Sequence, residues 1–180
     1  MTEVLVKEEV QDFKPSVEVK TPREKTCKER VKGEYRKECE RLTSLFSVMY
    51  QEATQEQMDK FSDFFGRETT GEPNVDSEMA VDALCNYGLS IEYVLPGSNK
   101  GRGFLRWLVS WGGPSDEWRF YFVPGENKPY RIEYIYSDWF DSAKVVCTKG
   151  RVANLLWDWL NDVGTPDYEY NKAHEDSEEY

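Results

Sequence analysis

Phe104-Leu105-Arg106-Trp107-Leu108-Val109-Ser110-Trp111 runs through Gly112-Gly113-Pro114-Ser115-Asp116-Glu117 into Trp118-Arg119-Phe120-Tyr121-Phe122, and this stretch decides the fold. In its first run Leu105, Trp107, Val109 and Trp111 hold one set of alternate positions, while Phe104 and Leu108 fall on the other. A strand apolar on both faces belongs in the interior of a sheet. Trp118, Phe120 and Phe122 share one face of the next run, as Ile132, Tyr134 and Tyr136 do in the one after. Together with 89–95, the pattern predicts four strands, at about 89–95, 104–111, 117–123 and 130–137. Their connections carry Pro96-Gly97 and Gly101, Gly112-Gly113-Pro114 and Pro124-Gly125, short enough for an antiparallel meander.

Upstream of the sheet the apolar period lengthens to that of a helix. Thr21-Pro22-Arg23-Glu24 supplies an N-cap threonine, a proline at the first helical position and a glutamate able to close a capping box. The stripe Val31, Tyr35, Leu42, Leu45, Phe46 and Met49 then carries a helix to about Tyr50, with Gly33 as a point where it could divide. Thr54-Gln55-Glu56-Gln57 repeats the box ahead of Met58, Phe61, Phe64 and Phe65, and Gly66 ends that helix. A third begins at Asp76 and closes at Gly88. Downstream, Val152, Leu155, Leu156, Trp159 and Val163 mark a helix over 151–162 that stops at Gly164-Thr165-Pro166. The expected architecture is α+β: N-terminal helices, a four-stranded antiparallel meander sheet, and a C-terminal helix packed on the sheet. Residues 1–20 are read as a flexible arm, 21–164 as a single domain (21–88 helical, 89–164 sheet plus helix) and 165–180 as a loose acidic tail.

The charge is uneven. Of 180 residues, 34 are Asp or Glu and 23 Lys or Arg, a formal net charge of -11. Residues 1–42 hold 11 basic and 10 acidic side chains, so the remainder carries the whole excess of carboxylates. Such a body repels phosphates, which disfavours direct contact with nucleic acid or anionic membranes and favours a cationic partner. No apolar run approaches the roughly 20 residues of a membrane span, and Met1-Thr2-Glu3-Val4 opens no signal-peptide core, so a cytoplasmic setting is expected. Cys27, Cys39, Cys85 and Cys147 are scattered and read as free thiols rather than a metal set. His174, the only histidine, lies in the charged tail, which leaves no imidazole for general base or triad chemistry. No cofactor motif is present.

Two sets of carboxylates stand out. Glu52, Glu56, Asp59 and Asp63 recur at three- and four-residue steps, with about 5–6 Å between neighbours on one helix face. A rigid helix so armed could present carboxylates to a cationic groove in place of nucleic acid. Asp116 and Glu117, on the Gly-Pro loop, are added as partner contacts. Alternatively, Asp116 and Glu117 with Asp138 and Asp141 could form the acid-base or metal site of a hydrolase, if the fold joined their two loops. At the start of the first helix Arg23, Lys25 and Lys28 form a basic cluster, which offers an auxiliary nucleic-acid contact or, as a third reading, direct nucleic-acid binding. Val31, Leu42, Leu45 and Met49 form a seam through which the first helix could pair in a homodimer.

Asn86-Tyr87-Gly88-Leu89-Ser90, Arg102-Gly103-Phe104-Leu105-Arg106-Trp107, Ser110-Trp111-Gly112-Gly113-Pro114-Ser115-Asp116-Glu117-Trp118-Arg119-Phe120, Tyr130-Arg131-Ile132-Glu133-Tyr134 and Asp138-Trp139-Phe140-Asp141 resemble a group of small uncharacterised proteins carried by phages, plasmids and integrative elements. The resemblance covers roughly the C-terminal half. It implies a context, that of acidic accessory proteins which include anti-CRISPR and anti-restriction inhibitors, and brings no catalytic residue with it. The sequence is accordingly expected to encode a non-enzymatic inhibitor that binds a cationic nucleic-acid-handling protein of host defence, such as a CRISPR effector nuclease.

Overall fold

The computed structural model describes residues 24–97 and 102–178. Thr21, Pro22 and Arg23, the proposed helix start, lie outside the described residues, as does the arm over 1–20. The first helix, α1 (Cys27–Met49), begins instead at a second capping box, with Thr26 as N-cap and its amide donating to Glu29 Oε2 at 2.8 Å. The choice is made by tertiary structure: the Cys27 amide donates to the Asp141 carboxylate, 114 residues away, at 2.7 Å. Gly33 does not divide the helix. At 23 residues it is about 35 Å long.

Two further helices pack on it, α2 (Gln55–Phe65) and α3 (Pro73–Cys85). The α2 signals hold as expected: Thr54 caps, Gln57 closes the box and Gly66 ends the helix with φ of 63°. For α3 the cap is Glu72 with Pro73 at the first position, and Asp76 sits one turn inside. There Asp76 is buried and accepts from the Thr70 and Gly71 amides at 2.7 and 3.0 Å and from the Thr70 hydroxyl at 2.8 Å. Burial alone would raise its pKa, but these bonds outweigh it and hold the carboxyl below its ordinary value.

Among the described residues the sheet has five strands, one more than expected: β1 (Ser90–Val94), β2 (Phe104–Ser110), β3 (Ser115–Tyr121), β4 (Arg131–Asp138) and β5 (Asp141–Val146). They lie in chain order, each antiparallel to the next. β5 was missed because Ser142-Ala143-Lys144 lacks the aromatic alternation of its neighbours. β2 is interior, but only one of its faces is covered. Leu105, Trp107 and Val109 are buried, whereas Arg106 and Leu108 face outward. A bulge between Leu108 and Ser110 then breaks the alternation and releases Trp111 to solvent.

The core lies between the inner face of the sheet and the helices. Tyr35 of α1 meets Trp118 and Tyr134 at 6.0 and 5.6 Å between ring centroids. α4 (Arg151–Asp162) has the expected bounds and covers the same face. Its buried stripe is rotated toward Ala153, Leu156, Trp157 and Leu160. Trp157 packs on Phe120 and Phe122, Trp159 stacks on Trp107, and Val163 is exposed. The segment read as a loose tail forms a helix, α5 (Thr165–Glu178). It docks on β1 through Tyr170 and His174, whose rings lie 5.0 and 5.9 Å from Tyr93, so the histidine has fixed neighbours after all. The seam suggested for a homodimer is consumed in this packing, since Val31, Leu42 and Leu45 are buried within their own chain. Among the described residues no helix is long and apolar enough to cross a membrane.

Candidate partner-binding surface

Glu52, Glu56, Asp59 and Asp63 all stand in solvent along the outer side of α2 and the turn before it. They are exposed because Phe61, with Met58 and Phe65 beside it, turns the opposite side of this helix onto the core. Glu56 pairs with Lys60 at 2.9 Å, and Asp59 accepts from the Gln55 side-chain amide at 2.9 Å. Glu52 and Asp63 make no ion pair among the described residues. Between residues 52 and 86 nine carboxylates stand against only Lys60 and Arg67. Among the described residues no helix carries a basic residue in its own last turn, and at α3 a cation is brought to that end from outside, where Arg67 pairs with Asp82 at 2.5 Å.

Asp116 and Glu117 do not belong to this surface. They are strand residues, because β3 starts at Ser115 rather than 117, and they point to opposite faces of the sheet. Asp116 faces inward, accepting from the Ser110 hydroxyl and from the Tyr134 hydroxyl, the latter at 2.8 Å. Glu117 is buried on the outer face between Arg119 at 2.5 Å and Arg106 at 3.9 Å. It is one member of a charge lattice across the uncovered face. Arg106 also pairs with Glu92, and buried Glu133 accepts from Arg131 at 2.5 Å, Lys144 at 2.9 Å and the Tyr121 hydroxyl at 3.1 Å. Burial pushes against the charge of Glu133, but the Lys144 and Arg131 bonds prevail and lower its pKa. This face therefore neutralises itself, and neither carboxylate is free to meet a partner.

The hydrolase constellation is also taken apart. Asp138 and Asp141 face each other across the β4–β5 turn, but Asp138 is paired with Arg30 at 2.7 Å and Asp141 caps α1. Their work is to fasten the hairpin to the start of the long helix. Among the described residues no group of three or more His, Cys, Asp or Glu could hold a metal ion. Cys27, buried on the Asp141 side of that junction, has its thiol pKa raised by burial and by the neighbouring carboxylate. Lys25 and Lys28 stand exposed at the same end of α1.

This end of the sheet also holds a feature that the sequence reading assigned to no site. Trp139 and Phe140 form the two-residue tip between β4 and β5 and are 84% and 103% exposed. Trp139 has φ of 52°, in the left-handed region where a bulky side chain is strained. Across from it Trp111 is 77% exposed, and the two indoles flank a groove of about 410 Å³. The groove includes Ser115, Ser137 and the Glu117–Arg119 pair. The available signal was the Asp-Trp-Phe-Asp sequence itself, with two large aromatics between carboxylates where a hairpin ordinarily takes Asn-Gly or Gly. In comparison with known proteins, no family model, no curated protein and no solved structure matches the chain.

Proposed function

We propose that the protein is a non-enzymatic inhibitor that occupies a cationic nucleic-acid-binding groove on a host-defence protein, with a CRISPR effector nuclease as the target class. The observation that carries this reading is the row Glu56, Asp59 and Asp63, exposed on a helix whose other side is locked into the core, with Glu52 exposed in the turn before it. Its steps of about 5–6 Å form a fixed array of negative charge, and the surrounding segment supplies few cations to quench it. Trp111, Trp139 and Phe140 support the same reading from the end of the sheet. Aromatics this exposed contribute little to the core, Trp139 is held in a left-handed conformation besides, and tryptophan is among the residue types enriched at the energetic centres of protein interfaces. Asp116 and Glu117 are dropped from the contact set. Lys25 and Lys28 are left to touch nucleic acid held by the same target.

The reading is tested by reversing Glu52, Glu56, Asp59 and Asp63 to lysine and measuring binding to purified effector, with and without its nucleic acid. Binding should fall at least tenfold in the variant and weaken steeply with salt in the parent, and bound nucleic acid should compete. Reversal of Glu175, exposed on α5, is the control and should change little. Unchanged affinity in the fourfold variant, with its fold intact by circular dichroism, would reject the proposal.

A further inference from the structure

One side of β5 pairs with β4, and among the described residues no strand pairs with the other. The Cys147 amide donates to the Ile132 carbonyl, which sets the alternation along the strand. Ala143 and Val145 therefore turn their backbone groups toward β4, while Ser142, Lys144 and Val146 turn theirs away. Those outward N–H and C=O groups meet no hydrogen-bond partner among the described residues. An edge of this kind is a template for one more strand. The side chains along it are half of a pattern: Ala143 and Val145 are partly buried against the core, and Lys144 stands between them on the outer face.

The chain that precedes the described residues carries the other half. Ser16-Val17-Glu18-Val19-Lys20 alternates with a period of two, and Pro15 and Pro22 bracket it. Its place in the chain also fits. Glu24, the first described residue, shares a cavity with Asp141, which directly precedes Ser142 in β5. The four backbone steps from Lys20 to Glu24 reach about 13 Å, so Lys20 can stand opposite Ser142. A segment that meets α1 from that point and lies along β5 runs antiparallel to it.

We propose that residues 16–20 pair with the free edge of β5 as a sixth, antiparallel strand, with Glu18 opposite Lys144. In this register Val17 and Val19 face Val145 and Ala143 on the core side of the sheet. Ser16, Glu18 and Lys20 exchange backbone hydrogen bonds with Val146, Lys144 and Ser142. The charges match as well. Arg131 and Lys144 share the single carboxylate of Glu133, at 2.5 and 2.9 Å, and the half-exposed Lys144 ammonium keeps donors for a second one. A slip of one residue turns both valines outward and Glu18 toward the core. A slip of two sets Lys20 against Lys144 or moves Glu18 opposite Ser142. Pro15 falls where the missing N–H would point away from β5, the position at which an edge strand tolerates proline. The proposal rests on the β5 edge and this segment, and is independent of the inhibitory reading.

Hydrogen exchange of the unliganded full chain, followed residue by residue by NMR, tests it. The Ser142, Lys144 and Val146 amides should exchange at least tenfold more slowly than in an unstructured chain, equally so after tenfold dilution. Glu18→Pro removes a ladder donor and should speed them at least tenfold; Glu18→Lys, which sets two cations opposite each other, should speed them several-fold. The Ala143 and Val145 amides, bonded to β4, should stay protected throughout and report an intact sheet. Asp12→Pro, outside the strand, should change none of these rates. Fast exchange at Ser142, Lys144 and Val146 in the parent, or protection that survives both Glu18 substitutions, would overturn the proposal. Protection that fades on dilution would overturn it too, by assigning the added strand to a second copy of the chain.

Discussion

Glu38 shows how one buried carboxyl can set a pH dependence. Burial raises its pKa first and nearby Asp116 adds to the rise, against the Tyr87 hydroxyl and Arg41, which lower it. The folded state therefore holds this proton at pH values where the unfolded chain, with an ordinary glutamate pKa of about 4.3, has released it. Stability from this group is complete below that value and declines as pH rises through the folded pKa, with a slope of at most about 1.4 kcal/mol per pH unit. Glu38→Gln keeps an acceptor for the Tyr87 hydroxyl and removes the titration. Its urea-unfolding free energy should match the parent near pH 4, exceed it increasingly as pH rises from the unfolded toward the folded pKa, and stay ahead by a constant amount above that. Parallel curves for the two proteins would show that Glu38 does not titrate on unfolding. None of this was legible in the sequence, because Glu38, Tyr87 and Trp118 meet only in the folded chain, where the Trp118 indole donates to the Tyr87 hydroxyl at 2.9 Å. Asp116 and Glu117 were misjudged for a related reason. Beside Gly-Pro they read as loop carboxylates, and their partners on neighbouring strands are fixed by register.

At the level of elements, local signals served where they faced no long-range competitor. Thr54, Gln57 and Gly66 bound α2 as read, and α4 runs over the residues expected. Two capping boxes competed at the start of α1, and a distant aspartate supported the second. β5 and α5 carry too little apolar periodicity to announce themselves. The first is held by pairing with β4, and the second by Tyr170 and His174 against Tyr93 together with buried Pro166. The β4–β5 turn is the element most open to a decisive change. A left-handed conformation costs a non-glycine residue about 1–2 kcal/mol, and glycine gives back about 0.5–1 through its freer unfolded chain. Trp139→Gly should therefore stabilise the fold by about 0.5–1 kcal/mol and raise the melting temperature by about 1–3 °C, while weakening any partner gripped by the indole. A destabilised variant would mean that the packing of Trp139 over Gly113 outweighs the strain.

On the scale of the whole molecule, α+β class, meander connectivity and acidic bias were all readable, since each follows from composition or period. The position of the bias was not. The open sheet face balances its own charges, and the excess lies in two segments, residues 52–86 with a net -7 and residues 165–180 with a net -5. Self-repulsion among those carboxylates opposes folding, and salt should relieve it. Raising ionic strength from 0.01 to 0.15 M shortens the screening length from about 30 to about 8 Å, so the melting temperature should rise over that range. A fall would indicate that the ion-pair lattice dominates.

Trp111 and Trp139 are bathed in water while Trp107, Trp118 and Trp157 are sealed in the core, with Trp159 stacked on Trp107. The six indoles therefore form two optical populations in the unmodified chain, one emitting at long wavelength and open to acrylamide quenching, the other blue-shifted and protected. Anything that settles on the hairpin end must move the first population toward the second, so the protein reports occupancy of that end without a label.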